Sequence, residues 1–380
     1  MRRPRRSILT GGVIIIVAAV IAVAVLNPRV EQKLFERGVA KQVSRSNANL
    51  LNDDALRVAI AGSSAPVPTK KRAKACVVVF AGSKFYVVDV GPESVKNLLL
   101  WQIPMSRVGG VLLTHFHSDH IGDLGELNLQ TWAGGRPKPL DVYGGPGVEQ
   151  VVDGFNQAYR QDQGYRTAHH TEKIVPAATW PMVAHPVVLD GPETPERSRT
   201  GLVLEDGPLR ISALEVNHDP VVPAYAYRFD YEGRSVVVTG DTKYHPPLIT
   251  GAQGADVLVS EAIARPMVEV LEKSLASAGN DRAAAIMHHV QDYHISPTEA
   301  AKIANAAGVK LLVFYHLMPA PDIPDATSFR AWRERRTKRE LGDRRRWQPL
   351  HASPGIERSS DRSRSLLALI QRCRRRFDCA

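Results

Sequence analysis

Cysteine is scarce: the 380 residues contain only Cys76, Cys373 and Cys379. So few thiols, so widely spaced, exclude a disulfide framework and a cysteine-based zinc site. Cys373 and Cys379 could pair in an oxidising compartment, but they lie in the C-terminal tail and are read as free. No internal repeat is found, and no low-complexity segment occurs before that tail. With 44% hydrophobic residues, the composition also excludes a disordered or collagen-like chain. One large core is within reach.

The body of the chain also lacks excess charge. The formal net charge is +10, but MRRPRR at the N-terminus carries four arginines. Residues 321–380 carry sixteen Lys or Arg against eight Asp or Glu, which leaves −2 for residues 7–320. An overall basic protein suggests nucleic-acid binding, which needs clustered Lys and Arg on the binding face. Here the basic residues sit at the two ends.

A 19-residue run without charge, Ile8 to Leu26, follows the N-terminal arginines. As a helix it would span about 28 Å, the thickness of a bilayer core. The flanking charge would keep the N-terminus in the cytoplasm and place the body outside. The competing reading is a cleaved signal peptide, since Ala22-Val23-Ala24 resembles a cleavage site. Both readings export the body. The expected organisation is residues 1–27 as membrane anchor or signal segment, 28–52 as a linker helix, 53–320 as the folded domain and 321–380 as a disordered Arg-rich tail.

Within the body, short apolar runs end in turn or polar residues: LRVAIAG, ACVVVFAG, FYVVDVG, GGVLLT, LDVYG, RISALEVN, YAYRFDY, SVVVTG, DVLVS and KLLVFY. They read as strands, alternating in places with helical stretches such as SVKNLLLW and PTEAAKIANAAG, and predict a mixed α/β fold. One helix is predicted in detail. Ser296 suits an N-cap, Pro297 the first helical position, Glu299 completes a capping box, and Gly308 ends the helix in a left-handed turn.

The strongest chemical signal is THFHSDHIGD, which puts His115, His117, Asp119 and His120 within six residues directly after GGVLLT. Imidazole and carboxylate donors suit Zn²⁺ or a related divalent ion. His218, Asp241 and His316 share the same setting, each just beyond an apolar strand.

This order of residues resembles the metallo-β-lactamase fold superfamily, whose signature is HxHxDH followed by a His, an Asp and a His at strand ends. The resemblance covers roughly Leu56 to Pro319 and implies a four-layer αββα sandwich holding two Zn²⁺ or related divalent ions. His115, His117 and His218 would hold one metal, Asp119, His120 and His316 the other, and Asp241 would bridge them. Asp89 matches the family's aspartate that fixes a ligand histidine through its other nitrogen. The chain looks closest to the branch containing ribonuclease Z and the zinc arylsulfatases. AGSSAPVP, Glu261 in VSEA, and YHISPTEAAKIANAAGVKLLVFYHL carry that likeness. The branch's catalytic histidine falls on His294, with Glu261 its partner.

The implied reaction is metal-dependent ester hydrolysis by a bridging hydroxide that Asp119 orients, with His294, held by Glu261, donating the proton to the leaving oxygen or stabilising developing negative charge. Ribonuclease Z proper usually carries a long arm between the third histidine and the bridging aspartate, whereas His218 and Asp241 are 23 residues apart. The insertion lies earlier, where Tyr159, Arg160, Tyr165, Arg166, His169 and His170 could form a lid binding an anionic aryl ester, or equally a solvated helix pair. The expectation is therefore an exported, membrane-tethered hydrolase of small anionic esters, sulfate or phosphodiester. Nucleic acid is disfavoured and a homodimer is open. The alternative is a ribonuclease Z-like endoribonuclease processing the 3′ end of transfer RNA.

Overall fold

The computed structural model describes residues 27–44, 46–192 and 194–320. The N-terminal apolar run and the Arg-rich tail, with Cys373 and Cys379, lie outside them. Two units separate at Asn47/Ala48. The first contains helix α1, Pro28–Val43, in which Asn27 caps the Arg29 amide through Oδ1 at 3.0 Å and Pro28 opens the first turn. Leu34, Phe35, Val39 and Val43 on it are exposed.

The second unit, from Ala48, carries two six-stranded sheets. The first runs in chain order through β1 (Arg57–Gly62), β2 (Cys76–Ala81), β3 (Lys84–Val88), β4 (Val108–Leu112), β5 (Leu140–Gly144) and β6 (Met182–Pro186). The second holds β7 (Thr200–Asp206), β8 (Leu209–Glu215), β9 (Tyr225–Tyr231), β10 (Arg234–Val238), β11 (Val257–Ile263) and β12 (Leu311–Met318), also in chain order. Each sheet begins as an antiparallel meander and ends parallel: β3 to β6 in the first, β10 to β12 in the second. Parallel neighbours bring their carboxyl ends to one edge, where ligands bind in such sheets.

Strand periodicity builds the four layers. In β2 every residue is buried. Cys76, Val78 and Phe80 pack outward under the helices α2 (Ser94–Leu100), α4 (Leu124–Ala133) and α5 (Val148–Ala158), through Val95, Leu98, Leu124, Leu127, Val148 and Val152. Val77 and Val79 point the other way and meet the second sheet. In β9 the alternation sorts by size. Tyr225, Tyr227 and Phe229 fill the space between the sheets, while Ala226 makes room for α7 (Leu248–Gly251) and α10 (Pro297–Ala306) on the outer face. Each fully buried Val or Leu in these layers contributes on the order of 1.5–3 kcal/mol. The result is the expected four-layer αββα sandwich.

All ten sequence-predicted strands are present. β6 and β7 were not predicted: both are edge strands with partly exposed faces, so their apolar alternation is weak. The predicted capping box holds in both directions, the Glu299 amide donating to Ser296 Oγ and the Ser296 amide to Glu299 Oε2, and Gly308 takes φ +67°. Between β5 and β6 the chain forms the helix pair α5 and α6 (Arg160–His170). Between β11 and α10 it forms a second pair, α8 (Arg265–Ser277) and α9 (Asp281–His289).

Candidate metal centre

After β4 the chain leaves the sheet at Thr114, whose carbonyl accepts the Tyr225 amide at 2.9 Å. It then passes His115 and His117 into the single turn α3, Ser118–Ile121, which carries Asp119 and His120. This tight path rests on Gly91, where a Cβ would stand 2.1 Å from the Asp119 carbonyl oxygen. His218 follows β8, Asp241 follows β10 through Gly240 at φ +61°, Glu261 lies within β11, and His294 precedes the cap of α10. His316 is an extra residue in β12: Glu261 pairs with Tyr315 and Ala262 with Leu317, so His316 is bulged out at φ +41°. The bulge turns its ring away from the ladder and into the cluster.

The side chains converge. Donor atoms of His115, His117, His218 and Asp241 lie within 4.8 Å of one another, as do those of Asp119, His120 and His316. Asp241 Oδ2 is central, 3.4 Å from Nε2 of both His120 and His316 and 3.9 Å from Nε2 of both His115 and His218. His117 alone of these is only half-buried, which opens the cluster to solvent on its side.

Three imidazoles have their outward nitrogens fixed. Nδ1 of His120 donates to Asp89 Oδ2 at 2.8 Å, Nδ1 of His218 donates to the Tyr293 carbonyl at 2.9 Å, and Nδ1 of His115 lies 3.1 Å from Thr114 Oγ1. Inside the cluster, Nε2 of His120, Nε2 of His218 and Oδ1 of Asp241 are buried with no hydrogen-bond partner. Orphaned donors of this kind are costly in a protein interior unless a cation joins them, and a nitrogen–oxygen donor set fits divalent ions. The residues present therefore fit a pair of such ions.

The electrostatics agree. Burial holds His115, His117 and His218 below the ordinary histidine value, His218 at about 4, so their rings are neutral at pH 7 as ligation requires. Burial opposes charge on His120 too, but the carboxylates of Asp241 and Asp89 outweigh it and raise its pKa. Asp241 and Asp119 resist burial through His316 and His120, which keep both carboxyls low.

Beside this cluster, His294 Nδ1 meets Glu261 Oε1 at 2.9 Å, and the Thr242 amide donates to the same oxygen at 2.9 Å. His294 is stacked on His316 with ring centroids 5.5 Å apart. A cavity of about 540 Å³ opens at the carboxyl ends of β5 and β6, between Gly147, Gln150, Val187, Arg199 and Tyr225. A Cβ on its Gly147 would touch the Phe116 ring at 3.4 Å, which places the cavity next to the histidine loop.

A beta-lactamase superfamily domain model matches residues 86–317. Ribonuclease Z of Mycobacterium bovis (strain BCG / Pasteur 1173P2) is 32% identical over 268 residues, covering 70% of this chain and 87% of that protein. Ribonuclease Z of Mycolicibacterium paratuberculosis (strain ATCC BAA-968 / K-10) is 32% identical over 293 residues, covering 76% and 96%. The chain belongs to the ribonuclease Z family of the beta-lactamase superfamily. The crystal structure of human tRNase Z, short form, has the same fold, with a TM-score of 0.51 at 20% identity over 68% of this chain and 92% of that one. With the family comes the reaction class: this is a divalent-metal-dependent hydrolase of ester bonds, of the phosphodiesterase, ribonuclease Z type.

Two expectations are corrected by this relationship. The reading as an exported hydrolase of small anionic esters gives way, because relatives matched along most of their length are ribonuclease Z. The spacing of His218 and Asp241, filled by β9, β10 and their loops, did not discriminate: the chain matches ribonuclease Z relatives along most of their length all the same. The near-neutral net charge of the body misled as well, since a sum over 314 residues says nothing of the local field at one edge. The membrane-tethered, exported placement falls with that reading. Among the described residues no helix is long and apolar enough to cross a membrane, and the run from Ile8 to Leu26 lies outside them.

The lid residues behave differently from the cluster. All sit on α6 or at its start, as a helix pair. Tyr159 packs against Trp180 at 6.4 Å in a small aromatic cluster with Trp132, and Arg166 pairs with Asp162 at 2.7 Å. Tyr165, His169, His170 and Arg160 are exposed. Among the described residues no hydrogen bond or ring contact joins any of the six to the histidine cluster. Thr114 and the Tyr293 carbonyl were not anticipated. Thr114 is adjacent to His115 in sequence, but nothing local marks Tyr293.

Proposed function

We propose that this protein is a zinc-dependent endoribonuclease of the ribonuclease Z type, hydrolysing a phosphodiester bond at the 3′ end of precursor transfer RNA. The observation that carries the reading is the 32% identity to a ribonuclease Z over 96% of that relative's length, with the His and Asp cluster inside the matched region. His115, His117 and His218 would hold one Zn²⁺, Asp119, His120 and His316 the second, and Asp241 would bridge, in keeping with its central oxygen. Two bound cations would supply Lewis acidity at the phosphoryl oxygens and lower the pKa of a water. Asp119 would orient the attacking water, whose oxygen forms the new bond to phosphorus. The bond from phosphorus to the leaving oxygen breaks, and His294, held by Glu261 on its Nδ1 side, gives the departing oxygen its proton. Asp89 and the Tyr293 carbonyl keep His120 and His218 in the tautomers that direct Nε2 inward.

The test is cleavage of a precursor transfer RNA by the purified protein, with metal analysis and His117→Ala as control. Metal-dependent cleavage abolished in the variant is expected. A fully metal-loaded protein that leaves the precursor intact would overturn the reading.

A further inference from the structure

Glu261 and His294 face each other across 2.9 Å but are 33 residues apart, and the whole helix pair α8–α9 lies between them. The hydrogen bond alone does not fix where the His294 ring sits, because the ends of a long insertion must also be held. Arg265, the first residue of α8, holds them. Its Nε donates to the Gln291 carbonyl at 3.1 Å, one terminal nitrogen donates to the His294 carbonyl at 2.7 Å, and the other donates to Glu299 Oε2 at 3.0 Å. That same Glu299 oxygen accepts the Ser296 amide at 2.8 Å and closes the cap of α10. One planar fork therefore ties the start of the helix pair, its end, the backbone of His294 and the following helix. A lysine has no such fork.

We propose that Arg265 is a positioning residue for proton donation by His294. The inference rests on the reading of His294 as the group that protonates the leaving oxygen. No hydrogen bond of Arg265 reaches a residue of the metal cluster directly. The segment it grips does include Tyr293, whose carbonyl accepts from His218 Nδ1, so variants are compared at equal metal content, where loss of Arg265 should misplace the His294 imidazole. A misplacement of about 1 Å can cost on the order of a hundredfold in rate.

The experiment compares two phosphodiesters: precursor RNA, whose alkoxide leaving group needs a proton, and bis(4-nitrophenyl) phosphate, whose phenolate leaves without one. In the full-length, metal-loaded protein, His294→Ala is expected to lower kcat on RNA by about 100-fold or more and on the nitrophenyl ester by less than about threefold. At equal metal loading, verified by metal analysis, Arg265→Ala should reproduce the same selectivity with a loss of about 10-fold or more on RNA and KM little changed. The double variant should be no slower than His294→Ala. If Arg265→Ala is not recovered folded, Arg265→Lys, which keeps the charge without the fork, carries the same comparison. Equal losses on both esters in the Arg265 variants, or multiplied losses in the double variant, overturn the role of Arg265 alone. Absence of leaving-group dependence in His294→Ala overturns the reading of His294, and the role of Arg265 with it.

Discussion

His120 donates its Nδ1 proton to Asp89 across 2.8 Å, and neither side chain has any exposed surface. Asp89 also accepts the Thr114 amide and hydroxyl, each at 2.8 Å, and takes φ +58°. One buried carboxylate thus ties together the end of β4, the histidine loop and the orientation of a ring. Packing and site chemistry meet at this residue.

Asp89→Asn removes the anion while keeping nearly the same volume. His120 then loses the partner that sets its tautomer, and metal affinity should fall about 10- to 100-fold. Competition with a chromophoric chelator measures this, and an unchanged affinity would count against the role given to Asp89.

The carboxylates around the same ring give a pH dependence. Against the cost of burial, Asp241 and Asp89 raise the pKa of His120, so it holds a proton more readily than an ordinary imidazole, whereas His218, at about 4, is already neutral. A cation must displace the His120 proton, so affinity should rise with pH by up to about tenfold per unit until the ring deprotonates. Chelator competition between pH 6 and 8 checks the sign, and affinity that falls or stays flat as pH rises contradicts it.

Much of the fold was legible because its interior strands are buried on both faces and read as unbroken apolar runs such as CVVVFA in β2. The candidate cluster was legible for a related reason: His115 and Asp241 each follow the end of an apolar strand, and His316 follows the apolar run LLVFY. Long-range partners left no local mark. The bulge that presents His316, the Tyr293 carbonyl behind His218 and the three-way grip of Arg265 depend on tertiary pairing. Substrate class was misjudged for the same reason, since charge totals and one loop length were made to stand for a surface. Tyr159 was singled out by composition, but its surroundings are those of a packing residue.

That placement predicts a stability effect. Tyr159 lies against Trp180 and over Gly125, where a Cβ would come within 2.3 Å of its ring. Tyr159→Ala removes a half-buried ring from the contact of α4 with α5 and α6. It should cost about 1–3 kcal/mol in urea unfolding, with kcat/KM on RNA changed less than about threefold. A large drop in kcat/KM without loss of stability would restore a direct role in binding.

The last prediction concerns Gly240, which turns the chain out of β10 immediately before Asp241. Its φ of +61° disfavours any side chain, and a Cβ there would stand 2.8 Å from both Thr114 Cβ and the Tyr225 carbonyl oxygen. Gly240→Ala combines backbone strain with overpacking and should cost about 2–4 kcal/mol. Gly254, at φ +67° with nothing within 4 Å of its Cβ position, provides the control. Gly254→Ala carries the backbone strain alone and should cost about 1–2 kcal/mol. The difference between the two variants in urea unfolding isolates the crowding at Thr114. Because Thr114 bonds both Asp89 and His115, only Gly240→Ala should also weaken metal binding. Equal effects of the two substitutions on metal affinity would mean that the fit of Gly240 against Thr114 does not hold the centre in place.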